Sequence, residues 1–257
     1  DIRFIWVSER PTSAREIYAV TLSTGGKGKK SLHEYKGNSL SGYTVEAGSD
    51  VFLFDPAQKK MISANNLQYG DRVRVLLDDN RRIVSGEVLA KNDTRFTGVY
   101  LGEENGYSYF SGFTRYANGS DVVVVGLGSG EELPPGSKVA VAGSAGTLSF
   151  IEVLSEATRV AVGSGTVLGT KDYLRVRYDR GGVSSYTYPK DAWFADWNLR
   201  QDGLMSTLFP GDKVSFALGF GETVVWAERT YAPAFKFEGT IETIAPQDRT
   251  LVVTDKT

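Results

Sequence analysis

Leu67-Gln-Tyr-Gly-Asp-Arg-Val-Arg-Val-Leu-Leu77, followed after a polar turn by Ile83-Val-Ser-Gly-Glu-Val88, decides the fold of this chain, because the chain writes it three times. The second copy is Leu133-Pro-Pro-Gly-Ser-Lys-Val-Ala-Val141, running on to Phe150-Ile-Glu-Val153. The third is Leu208-Phe-Pro-Gly-Asp-Lys-Val-Ser-Phe216, running on to Val224-Val-Trp-Ala-Glu228. In each copy a Leu precedes a Gly-Asp or Gly-Ser bend. Apolar and polar residues then alternate with period two, and a short turn leads into a second alternating run. Glycine at the bend with period two on both sides is the signature of a turn and hairpin.

Gly70, Gly136 and Gly211 lie 66 and 75 residues apart. A second landmark agrees with this spacing. The strands Arg95-Phe-Thr-Gly-Val-Tyr100, Gly163-Ser-Gly-Thr-Val-Leu168 and Phe237-Glu-Gly-Thr-Ile-Glu242 place Gly98, Gly165 and Gly239 at intervals of 67 and 74. The period predicts tandem modules at 1–91, 92–155 and 156–231, with the start of a truncated fourth at 232–257. Modules this small sit near the lower size at which one core suffices, so neighbours are expected to share buried surface.

The 257 residues carry 29 basic and 31 acidic side chains, a net charge of −2. This balance predicts neither nucleic acid nor an anionic membrane as partner, since both attract a concentrated positive field. No cysteine is present, which removes disulfides, thiolate metal sites and thiol nucleophiles. No apolar run approaches the length a membrane helix needs, so no membrane insertion is expected. The sequence starts without a signal-peptide pattern and stops just after the second strand of a new module, which reads as a piece of something longer.

Strands are expected at Ile2–Val7, Glu16–Leu22, Tyr43–Val45 and Val51–Phe54, with one helical turn near Ile62–Leu67. In the second module they fall at Phe96–Leu101, Tyr107–Phe113, Val122–Val125, Lys138–Ala142 and Leu148–Leu154. In the third they fall at Thr166–Leu168, Tyr173–Tyr178, Ser184–Tyr188, Val214–Leu218 and Thr223–Ala227. The third module also carries an insertion, Pro189-Lys-Asp-Ala-Trp-Phe-Ala-Asp-Trp-Asn-Leu-Arg-Gln201. There Asp191 reads as a helix cap, and Trp193 and Trp197 would share one helical face. The fold class predicted is therefore all-β, tandem small β-barrels or sandwiches with one short helical insertion. Val73, Val75, Val139, Val141, Val214 and Phe216 should point inward, alternating with exposed Arg74, Ala140 and Ser215.

Candidates for chemistry are few. The basic loop Thr24–Lys30 lacks the spacing of a phosphate-binding loop and reads as a hairpin tip. His33 is the one histidine, and no Gly-x-Ser-x-Gly elbow accompanies it, so neither a triad nor a zinc site is expected. The pairs Asp78/Asp79, Glu103/Glu104 and Glu131/Glu132 read as solvated tips, with calcium as the cofactor such tips could gather and none otherwise. Gly70-Asp71, Gly136-Ser137 and Gly211-Asp212 read as structural turns whose polar side chain bonds the local backbone. Tyr186, Tyr188, Trp193, Phe194 and Trp197 form the aromatic group that would either plug a barrel end or stack on sugars.

The pattern Phe-x-Gly-Thr-Ile at 237–241 with Leu251-Val-Val253, closed by Leu-x-x-Gly-Asp-x-Val, resembles the small β-barrel repeats of bacterial S-layer and other cell-surface proteins. Ser137 in place of Asp and the aromatic insertion depart from it. The resemblance implies an extracellular, cell-surface spacer or scaffold without catalysis. Its partners would be neighbouring modules, copies of itself or cell-wall polysaccharide. A carbohydrate-binding module using the aromatic insertion is the alternative, and an oligonucleotide-binding barrel the third reading.

Overall fold

The structure, a computed structural model, describes residues 15–24, 29–37, 39–127, 131–234, 239–245 and 250–255. The strand expected at Ile2–Val7 and most of the basic loop at 24–30 lie outside them. Nearly all regular structure is β. Two compact units, Asp1–Thr158 and Arg159–Thr257, divide the chain.

The second module shows the plan in its simplest form. Its strands β8 (Thr94–Glu104), β9 (Tyr107–Phe110), β10 (Thr114–Val125), β11 (Lys138–Ser144) and β12 (Thr147–Ser155) close a barrel in the order β10-β12-β11-β8-β9. β10 is long enough to serve twice. Its first residues, Thr114 to Ala117, pair antiparallel with β9, and from Ala117 on it runs parallel to β12, with a register shift between Asn118 and Val123.

The first module repeats this pairing with β1 (Arg15–Thr24), β2 (Lys30–Lys36), β3 (Ser39–Ala47), β6 (Arg72–Leu77) and β7 (Ile83–Ala90). Here the third strand is broken in two. β3 pairs with β2, while β4 (Phe52–Asp55) runs parallel to β7 and turns back as β5 (Lys60–Ser63). The third module has the same break: β13 (Ala161–Gly169), β14 (Leu174–Arg177), β15 (Val183–Tyr186), β16 (Trp193–Asp196), β17 (Gln201–Leu204), β18 (Lys213–Leu218) and β19 (Val224–Tyr231), with β16 parallel to β19. β20 (Gly239–Ala245) and β21 (Thr250–Asp255) form a separate hairpin.

Period two explains the cores. Val73, Val75, Val139, Val141, Val214 and Phe216 are all buried. Arg74 and Ser215 are half-buried on the opposite faces, and Arg74 is paired with Glu87 at 2.7 Å. Ala140, expected exposed, is buried. On this face of the barrel Tyr69 of the preceding module donates to Glu152, the register partner of Ala140, at 2.5 Å. Val20 and Tyr35 from the first module and Val125, Ala142 and Phe150 from the second share one apolar cluster, which seals the joint.

The helix expected at 189–201 is a β-hairpin, β16 to β17. The Asp cap and the Trp spacing are local signals, and tertiary pairing overrides them. Phe194-Ala195-Asp196 is buried as a run beside β19. Its Asp196 carboxylate accepts from Arg229 Nε at 2.8 Å, and Trp193 Nε1 donates to Asp202 Oδ2 across the hairpin at 2.6 Å.

Candidate nucleic-acid interface

The repeated bend does the same thing in all three modules. Gly70, Gly136 and Gly211 donate to the carbonyls of Thr21, Tyr100 and Val167 on the first strand of their modules. The same three residues donate back to the carbonyls of Asp71, Ser137 and Asp212. Each glycine has a positive φ, 79°, 96° and 93°, which a residue with a Cβ adopts only at a cost. The polar side chains that follow are completely buried. Asp71 accepts from Gln68 N at 2.9 Å and Asn92 N at 2.8 Å, and Arg95 lies 3.1 Å away. Ser137 Oγ accepts from Ala157 N at 3.0 Å. Asp212 accepts from Phe209 N at 2.9 Å, with Arg229 at 3.7 Å. Burial pushes the Asp71 carboxyl up, against the two amides and Arg95 that hold it down. These residues staple the bend and, in the first two modules, the chain that leaves it, and all three are fully buried.

The aromatic group of the third module is wall rather than platform. Phe194 is buried, and Tyr186 packs on Phe216 with ring centroids 5.3 Å apart. The Tyr186 hydroxyl is bonded to that of Tyr178, and Tyr188 donates to the Thr170 carbonyl. Both phenols are held above their ordinary range, Tyr186 by the Tyr178 bond and burial, Tyr188 by burial and Asp172. Trp193 and Trp197 are half-buried, the latter under Arg200 at 5.4 Å. His33 is half-buried on β2, 3.4 Å from Thr44 Oγ1. Among the described residues no group of His, Cys, Asp and Glu gathers as a metal site.

The open face of the third module lies on β14 and β15. Leu174 and Val176 point inward and are fully buried, so Arg175 and Arg177 point outward. Tyr173, 53% exposed, continues the same alternation at the start of the strand. Arg175 pairs in register with Ser185, and Arg177 with Val183 on one side and Thr166 on the other. Lys171 and Arg180 flank the stripe, against Asp172 and Asp179, and neither Arg175 nor Arg177 makes an ion pair with the described residues. The glycine turn Gly181-Gly182, with φ of 85° and 88°, leads from β14 into β15. In the first module the corresponding positions carry Ser31, which is buried, and His33, which is half-buried, so the stripe is not repeated there. The sequence reading missed this stripe by counting charge over the whole chain. The available signal was Arg-Val-Arg at period two.

First, second, third, fifth and fourth strand, closing back on the first, is the circuit of the five-stranded Greek-key barrel of the OB class, which presents its second and third strands to oligonucleotides and oligosaccharides. No family model matches the chain, and no curated protein matches it. Among solved structures, Drosophila Unr CSD456, a set of cold-shock domains, is similar at 15% identity with a TM-score of 0.21, over 84% of this chain and 98% of that one. The fold assignment stands on the strand pairing.

Two expectations are corrected. The surface-layer spacer gives way to the strand circuit of the second module, which is that of the OB class. The exclusion of nucleic acid fails too, because a net charge near zero averages away a local stripe of exposed arginines.

Proposed function

We propose that this chain binds single-stranded oligonucleotides through the outer face of β14 and β15, as a binding protein rather than an enzyme. The observation that carries the reading is the exposed series Tyr173, Arg175, Arg177 on one strand face. Guanidinium groups at alternate strand positions contact successive phosphates, and an exposed phenol ring offers a stacking surface to a base. A single strand can use both contacts, since its bases are free to stack. Ser185, Thr166 and the exposed Val183 give the two arginines uncharged cross-strand neighbours.

The test is fluorescence anisotropy of labelled oligo-dT and oligo-U across a salt series. Loss of two phosphate contacts in Arg175→Ala/Arg177→Ala should make the slope of log K against log salt shallower by about 1.4, at about 0.7 per contact on a single strand. Tyr173→Ala should weaken binding by about 1 to 3 kcal/mol. All three side chains are exposed, so the melting temperature should stay put. No binding by the unaltered protein, or an unchanged salt slope in the double variant, refutes the proposal.

A further inference from the structure

The three modules differ at one end of the barrel. In the first, the strand β5 leads into a 3-10 turn, Ala64–Asn66, and Ile62, Ala64 and Leu67 are buried in the core. In the third, β17 leads into a 3-10 turn, Met205–Thr207, and Met205 and Leu208 are buried in the same way. The backbone bonds match: Ala64 N donates to Val51 O and Met205 N to Ala192 O, both at 2.8 Å. Asp55 and Asp196 end the parallel strands, each accepting from the amide three residues on. From each of them to the Leu of the Leu-x-x-Gly bend is twelve positions, Asp55 to Leu67 and Asp196 to Leu208.

In the second module the corresponding stretch, Gly126 to Leu133, is seven. It is five residues shorter, and its described residues, 126–127 and 131–133, form neither a second hairpin strand nor a 3-10 turn. Leu133, whose counterparts Leu67 and Leu208 are buried, is only half-buried. A cleft of about 800 Å³ opens beside it. Its apolar floor is Val122, Val124, Leu127, Leu133 and Ile151, and Tyr100 and Ser108 are buried in its wall. Glu103 and Glu132 line it from two separate segments, the end of β8 and the segment before Leu133.

We infer that the unplugged end of the second barrel is a binding cavity for a small organic cation, an ammonium group on an apolar stem. The sister barrels fill this space with their own apolar side chains, so the floor accepts an apolar stem of comparable size. The rim carboxylates from two separate segments set the sign of the head group. Their field converges on the wall: burial first, then Glu103 and Glu132, push the Tyr100 phenol up to about 12, although its bond to Ser108 opposes this. Phosphate and carboxylate ligands are excluded by the same field, which separates this cavity from the arginine stripe of the third module.

The chemistry is shared by a free alkylamine and by a lysine side chain. Calorimetry on the full chain therefore uses n-hexylammonium, its neutral counterpart 1-hexanol, and acetyl-lysine amide, with methyl chemical shifts of Val122, Leu133 and Ile151 read alongside. Saturable binding of an ammonium probe with shifts at these methyls, and roughly tenfold weaker binding of hexanol, is the expected result. Tighter binding by acetyl-lysine amide assigns the site to a peptide side chain, and tighter binding by hexylammonium to a free amine. Glu103→Gln/Glu132→Gln should lower ammonium affinity roughly tenfold and leave hexanol unchanged. Ser120→Lys, at an exposed position lining the cleft, supplies its own ammonium and should compete with the probe, a change that leaves the core untouched. Equal affinity for hexanol and hexylammonium, unmoved methyl signals, or ammonium affinity unaltered in both variants overturns the inference.

Discussion

Gly70→Ala tests how the first two modules are joined. A Cβ built on Gly70 falls 2.3 Å from the Ala142 Cβ of the second module, and 3.5 Å from the Phe150 ring. The same atom on Gly211 meets only Pro233 Cγ, at 3.1 Å. Both glycines have a left-handed φ, so both substitutions cost about 1 to 2 kcal/mol for backbone conformation alone. At Gly70 a further 1 to 3 kcal/mol, roughly, is expected from overpacking, because Ala142 is fully buried in β11 and cannot move aside. Gly70→Ala should therefore destabilise by about 2 to 5 kcal/mol and Gly211→Ala by about 1 to 2. Hydrogen exchange read at amides of β11 and β12, for the first, and of β13 and β18, for the second, resolves the two losses in one chain. Ala142→Gly in the Gly70→Ala background should restore part of the loss, and the double-mutant cycle isolates that contact. Equal losses at the two glycines, with no coupling between 70 and 142, would refute the close approach as the basis of the joint.

Leu67→Ala should cost about 2 to 5 kcal/mol, since the side chain is fully buried, whereas Leu133→Ala at the edge of the cleft should cost less than half as much by urea unfolding. Arg229→Leu leaves the Asp196 carboxylate, which is buried and bonded to Arg229 Nε, without its counter-charge, and should destabilise by about 3 to 5 kcal/mol, read as a lower urea midpoint for the third module. Glu34 is buried. Its desolvation alone would raise the carboxyl, but bonds from Ser41 and Arg15 outweigh this and hold it below its ordinary value of 4.5. Its folded pKa being the lower, its contribution is complete above pH 4.5 and is lost as the pH falls through the folded value, so the stability gap between the protein and Glu34→Gln should close on acidification. A gap independent of pH below neutrality would remove Glu34 from the acid limb.

The strands and the bends were legible because both signals are local: a Gly-Asp or Gly-Ser pair, then valines at period two. The hairpin at 193–204 was not, since Trp193 and Trp197 four apart fit a helix equally well, and only the vacant edge of β19 selects a strand. Ala140 was misplaced for a related reason: Tyr69, from another module, is bonded to its register partner Glu152. The arginine stripe was visible as spacing but was outweighed by total charge. The opened barrel of the second module was written as a five-residue shortening between Gly126 and Leu133, which has meaning only once the plug of its neighbours is seen.

Between the end of β7 at Ala90 and the start of β8 at Thr94 lie three residues, and the middle one is held on every side. Asn92 donates its amide to Asp71 at 2.8 Å and its Nδ2 to the Gly70 carbonyl at 2.7 Å, while its Oδ1 accepts from Ser149 Oγ at 2.6 Å. There is no swivel here. A connector pinned at its centre to both neighbours passes torque from one barrel to the next without slack, so the pair should tumble in solution as a single stiff rod segment, with one rotational correlation time. Asn92→Gly, which removes two side-chain tethers and adds backbone freedom, would be the place to cut a hinge.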